Sequence, residues 1–230
     1  MSGKLAKRKE NNNGSNNMFN SGGYIRRAHH AGSWYHDDKQ MLDAALSRYL
    51  QSAAGDKDSK NQTQSDCALR GIICPHAGYD YSGPTAAYGY HELSRELIKK
   101  NCPIRHILVF HPSHHVYLDG IAICGGNKLE TPVGDLPVDT ILREEILNLK
   151  PGFFDIMTRD VDEMEHSGEM QFPFIAKIQN DAIKKRGGAM IPVLPIMCGS
   201  ISKSKESEYG KYLAEVVARK DVFSIVSTGT

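Results

Sequence analysis

The sequence predicts an α/β fold, a single domain with a mainly parallel or mixed central sheet and flanking helices. Two apolar runs, 71–75 and 107–110, each lead into a turn that carries a histidine. Short runs of Ile, Val, Leu and Phe bounded by Pro or Gly are typical of strands buried on both faces. Between the two runs, residues 85–100 carry apolar side chains at helical spacing. The order is therefore β-α-β, the unit from which parallel sheets are built.

Length and composition also favour one soluble domain. The chain has 230 residues, of which 40% are hydrophobic, and a formal net charge of +1. A domain of this size can bury a large core, and its balanced charge gives no sign of a nucleic-acid partner. No run approaches the ~18 apolar residues that a membrane span requires. The 5 cysteines are scattered without a Cys-x-x-Cys pair, which favours a reducing compartment, so we expect a cytoplasmic protein.

The amino-terminal part contains two segments that are predicted not to pack. Residues 1–23 are rich in Asn, Ser, Gly and Lys and lack the apolar stretch of a signal peptide. They are predicted to form a disordered tail rather than a binding arm. A helix capped by Asp37 or Asp38 follows and runs to Ser52. Residues 53–66 are polar and are predicted to form a mobile surface insertion rather than a linker between domains.

Five further elements are predicted after the second histidine turn. They are a strand at 120–124, a helix at 139–150, a strand at 190–197, a helix at 203–219 and a strand at 222–227. The prolines of the strand at 190–197 favour an edge or bulged position. The chain stops shortly after the last strand, and no covering element is predicted for it. We therefore expect the domain, residues 24–230, to be incomplete at its C-terminus.

Two histidines are predicted to meet at one edge of the sheet. Right-handed crossovers make the two strands parallel, so His76 and His114 follow strand ends on the same side. Imidazole binds iron, copper or zinc, and two rings here can share one ion; hydrogen-bonded structural histidines are the alternative. Candidates for a third, carboxylate ligand are Asp80, Asp119, Glu165 and Glu169. His166 is a candidate general acid or base.

Four histidine-bearing motifs occur along the chain. They are Ala-His-His-Ala-Gly-Ser-Trp-Tyr at 28–35, Pro-His-Ala-Gly-Tyr-Asp-Tyr-Ser-Gly at 75–83, Pro-Ser-His-His-Val at 112–116 and Asp-Glu-Met-Glu-His-Ser-Gly-Glu-Met at 162–170. Together they resemble the Memo family, which is named for its role in receptor-driven cell motility. The resemblance implies a fold similar to the LigB-type class III extradiol dioxygenases. Those enzymes hold non-haem Fe(II) with two histidines and a carboxylate.

The resemblance also implies a functional pocket. His76 and His114 fall on two metal-ligand positions of the family, whose metal chemistry is attributed to iron or copper. Trp34 and Tyr81 fall on positions that line the same pocket, which the family is reported to use for phosphotyrosine-peptide binding. The implied function is a signalling or scaffold role in cell motility, with a phosphotyrosine-containing peptide or a signalling protein as partner. The alternative is an oxidoreductase similar to the extradiol dioxygenases, ranked lower because no third ligand is assured.

The sequence departs from the family pattern in three places. Where the family continues with Ser-Ser-Asp-Phe-x-His, this chain has residues 226–230 and stops. A further histidine and a later cysteine of the family pocket therefore have no counterparts, and we expect a truncated site. His111 stands in place of a glycine and Gln171 in place of a histidine. His111 is either an alternative ligand or a structural residue.

Overall fold

The computed structural model describes residues 23–55 and 69–229. The predicted tail, 1–23, lies outside the described residues except at residue 23. The predicted insertion, 53–66, lies outside them except at 53–55, which belong to the first helix. That helix therefore ends at Gly55 rather than at Ser52.

The described residues form two sheets. The strands are β1 (Ile25–Arg26), β2 (Gly71–Pro75), β3 (His106–Pro112), β4 (Ile121–Cys124), β5 (Lys128–Leu129), β6 (Leu136–Pro137), β7 (Asp155–Met157), β8 (Val193–Cys198) and β9 (Val222–Thr228). The central sheet has 6 strands in the order β2-β9-β3-β8-β4-β7, and β1, β5 and β6 form a small second sheet. Strands β2, β9, β3 and β8 are parallel, whereas β4 is antiparallel to β8 and parallel to β7. The predicted fold class, an α/β domain with a mixed sheet, is confirmed.

The last described strand lies inside the sheet, between the two strands that lead to the histidines. Ile225 pairs with Ile72 of β2 on one side and with Val109 of β3 on the other. Strand β9 therefore has a paired neighbour along both of its edges. The prediction that β2 and β3 are parallel and end at the same edge is confirmed, although β9 separates them.

Strand β8 also lies in the interior and pairs with β3 in an unbroken register, so the predicted edge or bulged position is wrong. Pro195 pairs with Val109 of β3, while the ladder to β4 starts one residue later, where Ile196 pairs with Ile123. A proline has no N–H to donate and is tolerated where a neighbouring strand has not yet begun to pair. The register thus accommodates the proline without a strand edge.

Helices flank the central sheet. They are α1 (Lys39–Gly55), α2 (Tyr79–Leu97), α3 (Thr140–Leu149), α4 (Arg159–Met164), α5 (His166–Glu169), α6 (Phe172–Arg186) and α7 (Lys203–Val217). Helices α1, α2 and α6 pack against one another, and α3 packs against α7. Asp38 caps α1 by accepting a hydrogen bond from the Met41 N–H at 2.8 Å. None of the helices in the described ranges has the length and hydrophobicity to cross a membrane.

Three details of the helices differ from the sequence prediction. Helix α2 begins at Tyr79 rather than at Thr85, and it includes Pro84. Gly83 lies within α2, where it packs against the Tyr49 ring of α1. A Cβ at this position would lie 2.6 Å from that ring, so the glycine permits close packing of the two helices and does not mark a turn. Ile141 of α3, whose apolar side chain predicts a buried position, is 77% exposed. Helix α6 was not predicted, because its first half is buried nearly all round and shows no amphipathic stripe.

The interior position of β9 leads to a prediction for Phe223, whose side chain is fully buried in the core. Replacing Phe223 by alanine should lower the free energy of unfolding by about 3–5 kcal/mol, since it leaves a cavity beside two strands. Ile141→Ala, at an exposed position, should change it by less than about 0.5 kcal/mol. Urea denaturation of the two variants measures both values. Equal effects would contradict the placement of β9.

Candidate metal centre

Three imidazoles meet at the carboxyl edge of the central sheet. One nitrogen from each of His76, His114 and His166 lies within 4.8 Å of the nitrogens of the other two. The ring centroids are 5.2 Å apart for His76 and His114, 5.5 Å for His76 and His166, and 4.6 Å for His114 and His166. His76 is buried, whereas the side chain of His114 is 39% exposed. The cluster is thus closed on the sheet side and open on the other.

The fold explains why these rings converge. His76 follows the last residue of β2, and His114 follows β3 by one intervening residue. Because both strands run parallel to β9, their ends lie at the same edge of the sheet. His166 comes from the start of α5, which Glu165 caps by accepting a hydrogen bond from the Ser167 N–H at 3.0 Å. A short helix therefore brings the third ring to the two strand ends.

Glu165 holds His114 in place. One carboxylate oxygen lies 2.9 Å from the Nδ1 atom of His114, and the other accepts the His114 backbone N–H at 2.6 Å. Burial opposes ionisation of this carboxyl, but the hydrogen bonds from His114 and Ser167 outweigh that effect and lower its pKa to about 2. Glu165 is therefore an ionised partner that orients His114.

His76 is held in its neutral form. Burial, together with the neighbouring His114 and His166, lowers its pKa to about 4 against the opposing effect of Glu165. Burial likewise lowers the pKa of His166. Neutral imidazoles offer a lone pair, which is the state that a metal ligand needs. In addition, the Nδ1 atom of His166 is buried, lies 3.4 Å from a Glu165 carboxylate oxygen and makes no hydrogen bond among the described residues. The donor set therefore fits a metal ion.

Of the two predicted aromatic pocket residues, one lies beside the cluster. The Trp34 ring stacks on His166 with centroids 4.3 Å apart and an interplanar angle of 28°. His166 in turn stacks on His114 at an angle of 29°. Tyr81 lies in the first turns of α2 with 85% of its surface exposed, and it makes no ring contact with the cluster in the described part of the chain. Its assignment to the pocket stays a prediction.

The carboxylates offered as third ligands have other surroundings. Both oxygens of Glu165 accept hydrogen bonds from His114. Glu169 accepts hydrogen bonds from Arg26, His30 and Tyr35. Asp119 forms an ion pair with Lys205, and Asp80 is exposed. The third ring of the cluster is His166, which the sequence suggested only as an acid or base. Its position in the Glu-His-Ser-Gly-Glu motif, between two acidic residues, was the available signal.

Sequence reasoning missed a buried arginine that supports the cluster. Arg26 of β1 is 1% exposed and donates hydrogen bonds to Asp162 at 2.8 Å and to Glu169 at 2.6 Å. It also donates to the backbone oxygens of Asp162 and Glu165. The pKa of Glu169 is about 2, because the positive charge of Arg26 and hydrogen bonds from His30, Tyr35 and Arg26 outweigh the effect of burial. No local pattern marks this contact, since it joins residues 136 or more positions apart.

His111 has a structural role in this arrangement. Its ring is buried, its Nδ1 atom lies 3.1 Å from the Ser167 hydroxyl, and its Nε2 atom has no hydrogen-bond partner among the described residues. The ring packs closely against Gly168, where a Cβ would lie 3.0 Å from it. Burial lowers the pKa of His111 to about 4. His111 therefore fills space behind α5 and lies outside the three-ring cluster.

These features define a class of protein: an α/β domain with a three-histidine centre, able to hold a metal ion, at the carboxyl edge of a mixed sheet. Residues 26–229 match the family model described as Memo-like protein. The chain belongs to the Memo family, as the motifs predict.

Three curated relatives show the extent of the similarity. The chain is 36% identical to the Protein memo-1 homolog of Caenorhabditis elegans, over 84% of this chain and 48% of that protein. It is 34% identical to a MEMO1 family protein of Schizosaccharomyces pombe, over 89% of this chain and 60% of the relative. It is 33% identical to Protein MEMO1 of Homo sapiens, over 88% of this chain and 61% of the relative. The matched region thus spans between about half and three fifths of each relative.

Breaking the buried arginine network should destabilise the domain strongly. Arg26→Met leaves Asp162 and Glu169 as uncompensated buried charges, which should cost about 3–5 kcal/mol. Arg159→Met removes a half-exposed pair with Glu163 and should cost less than about 1 kcal/mol. Urea denaturation gives both values. A cost for Arg26→Met as small as that for Arg159→Met would argue against the network.

The buried His111 should make the domain sensitive to acid. In the unfolded chain His111 takes up a proton near pH 6.5, but in the folded protein only near about pH 4. The unfolded state therefore binds more protons in that window, and stability falls as the pH falls through it. We expect wild type to lose about 3 kcal/mol more than His111→Gln between these pH values. Unfolding curves across the window test this, and parallel losses in both proteins would refute it.

Proposed function

We propose that this chain is a metal-binding protein whose centre, formed by His76, His114 and His166, holds an iron(II) or copper ion. The convergence of the three rings, with one nitrogen of each within 4.8 Å of the others, is the observation that supports the proposal. Imidazole is a suitable ligand for both metals. When bound, either ion supplies one-electron redox chemistry. Ionised Glu165, in contact with His114, provides a negative charge that offsets the ion.

The open side of the cluster supports a proposed second role, binding of a phosphotyrosine-containing peptide. The partly exposed His114 ring and the half-buried Trp34 ring flank His166, one on each face. An aromatic face suits the tyrosyl ring, and imidazole or a bound ion offsets the phosphate charge. With the family membership, this supports a signalling or scaffold role in cell motility for a cytoplasmic protein. The chain matches only part of each relative. Any activity or partner of the full-length relatives is therefore assigned to this chain only as part of this proposal.

We rank the alternative, a ring-cleaving oxidoreductase of the extradiol dioxygenase kind, below these roles. Those enzymes use a carboxylate as the third ligand, whereas the third ring here is His166 and each nearby carboxylate has a protein partner. Turnover of a catechol by Fe(II)-loaded protein after addition of oxygen would reverse the ranking.

Metal binding can be followed through Trp34, the 1 tryptophan of the chain. Because its ring stacks on His166, Cu(II) bound at the cluster should quench its fluorescence. We expect saturation at about one equivalent, and a loss of affinity of about 100-fold or more in His76→Ala, His114→Ala and His166→Ala, since each variant lacks a ligand. Equilibrium dialysis with Fe(II) under anaerobic conditions gives an independent stoichiometry.

The matched control is His91→Ala, which removes a histidine from α2 that is not part of the cluster. It should bind the metal as wild type does. Equal binding by the cluster variants and by His91→Ala would show that the ion binds elsewhere and would overturn the proposed centre.

Peptide binding is tested with one peptide in phosphorylated and unphosphorylated forms. Fluorescence anisotropy should show a preference for the phosphorylated form, and Trp34→Ala should weaken that binding about tenfold because the stacking surface is lost. Tyr81→Ala should weaken it more than Tyr117→Ala, since the two tyrosines are similarly exposed, at 85% and 80%, but only Tyr81 lies in a pocket motif. Equal affinity for both peptide forms would exclude phosphotyrosine recognition.

A further inference from the structure

A chain of buried hydrogen bonds leads from the core to His76. The Tyr90 hydroxyl donates to the Gln171 side-chain oxygen at 2.7 Å, and the Gln171 amide nitrogen donates to the Ser227 hydroxyl oxygen at 3.0 Å. The Nδ1 atom of His76 lies 3.0 Å from the same hydroxyl. Tyr90, Gln171, Ser227 and His76 are all buried. The chain joins α2, the start of α6, β9 and the end of β2.

Two backbone carbonyls fix the direction of these hydrogen bonds. The Gln171 nitrogen also lies 3.1 Å from the Pro75 oxygen. A carbonyl only accepts, so the nitrogen and not the oxygen of the amide must face Pro75 and, with it, Ser227. The Ser227 hydroxyl lies 2.7 Å from the Ser167 oxygen, another acceptor, which takes the single hydroxyl hydrogen.

The direction of these bonds determines the tautomer of His76. Since the Ser227 oxygen receives a hydrogen from Gln171 and gives its own to Ser167, it can only accept from His76. The Nδ1 atom of His76 must then carry the ring hydrogen, and the lone pair is on Nε2. We infer that Ser227 and Gln171 are positioning residues that hold His76 in the Nδ1–H tautomer and so present Nε2 as a ligand. The inference deepens the proposed metal-binding function and rests on it.

His114 reaches the same state by a different means. Its Nδ1 atom faces the carboxylate of Glu165 at 2.9 Å, and an ionised carboxylate only accepts, so Nδ1 again carries the hydrogen. The two strand-end histidines therefore present the same ring nitrogen. His114 is oriented by the charged Glu165 carboxylate, whereas His76 is oriented by the neutral Ser227 hydroxyl and, through it, by the Gln171 amide. The Gln171–Ser227 pair thus orients a ligand without adding charge to the centre.

Nitrogen-15 NMR of the metal-free protein at neutral pH tests the inference directly, because the two ring nitrogens of each tautomer have distinct chemical shifts. In wild type, His76 should be in the Nδ1–H form. Ser227→Ala should give a mixture of tautomers and weaken metal binding by about 10- to 100-fold, the usual effect of losing a hydrogen-bond partner of a ligand. Ser227→Thr keeps the hydroxyl and should restore both.

Ser224→Ala is the matched control. Ser224 lies on the same strand, and its hydroxyl has no hydrogen-bond partner among the described residues. This variant should leave the His76 tautomer and the metal affinity unchanged. It thereby shows whether an effect of Ser227→Ala comes from the lost contact with His76 or merely from removing a serine of β9. If Ser227→Ala does not fold, Gln171→Met serves as the second variant. Without the Gln171 amide the Ser227 hydroxyl is free to turn and donate to the Nδ1 atom of His76, which should increase the minor tautomer.

The outcomes distinguish this inference from the proposed function. An unchanged Nδ1–H tautomer and unchanged affinity in the variants would overturn the role of Ser227 and Gln171, even if wild type binds metal at the cluster. Failure of wild type to bind metal would overturn the proposed function. The NMR comparison of wild type, Ser227→Ala and Ser224→Ala would still decide which tautomer the hydrogen-bond chain imposes.

Discussion

The buried ion pairs of Arg26 are the constraint on which the centre depends. Strand β1, which carries Arg26, pairs with β5 over only 2 residues, so backbone pairing holds it weakly. The guanidinium instead bonds to Asp162 and Glu169, which lie 136 and 143 positions later in the sequence. Because removal of either partner from a buried pair leaves a charge without compensation, these groups must assemble together. Their assembly fixes the segment from which Glu165 and His166 extend.

Helix α5 connects the two halves of the centre. Glu165 precedes it and orients His114 of the sheet edge, whereas Glu169 ends it and accepts hydrogen bonds from His30 and Tyr35 of the amino-terminal segment. His166 lies between these two carboxylates, stacked between Trp34 on one side and His114 on the other. A short helix with an acidic residue at either end thus sets the position of the third ring.

Much of the fold, but less of the centre, can be predicted from the sequence. The apolar runs before His76 and His114 identify parallel strands, and parallel strands bring their ends together, so the meeting of these two rings follows from local pattern. Strand order does not follow, because the insertion of β9 between β2 and β3 depends on pairing between distant segments. The same holds for His166 and Arg26, whose partners lie far along the chain. The Gly83-Pro84 pair is typical of a turn in sequence, and only the close contact of Gly83 with Tyr49 in the structure explains why a helix has a glycine there.

The place of β9 has a consequence for the order of events during synthesis. Strands β2 and β3 emerge from the ribosome early, yet they do not pair with each other. The strand that lies between them, β9, begins at Val222, more than a hundred residues after β3 ends at Pro112. Contacts between such distant segments form slowly, since a long loop must close first. His76 and His114 therefore approach each other late, when β9 enters the sheet. A nascent chain would expose two apolar strand edges until then, which is the situation in which chaperones are needed.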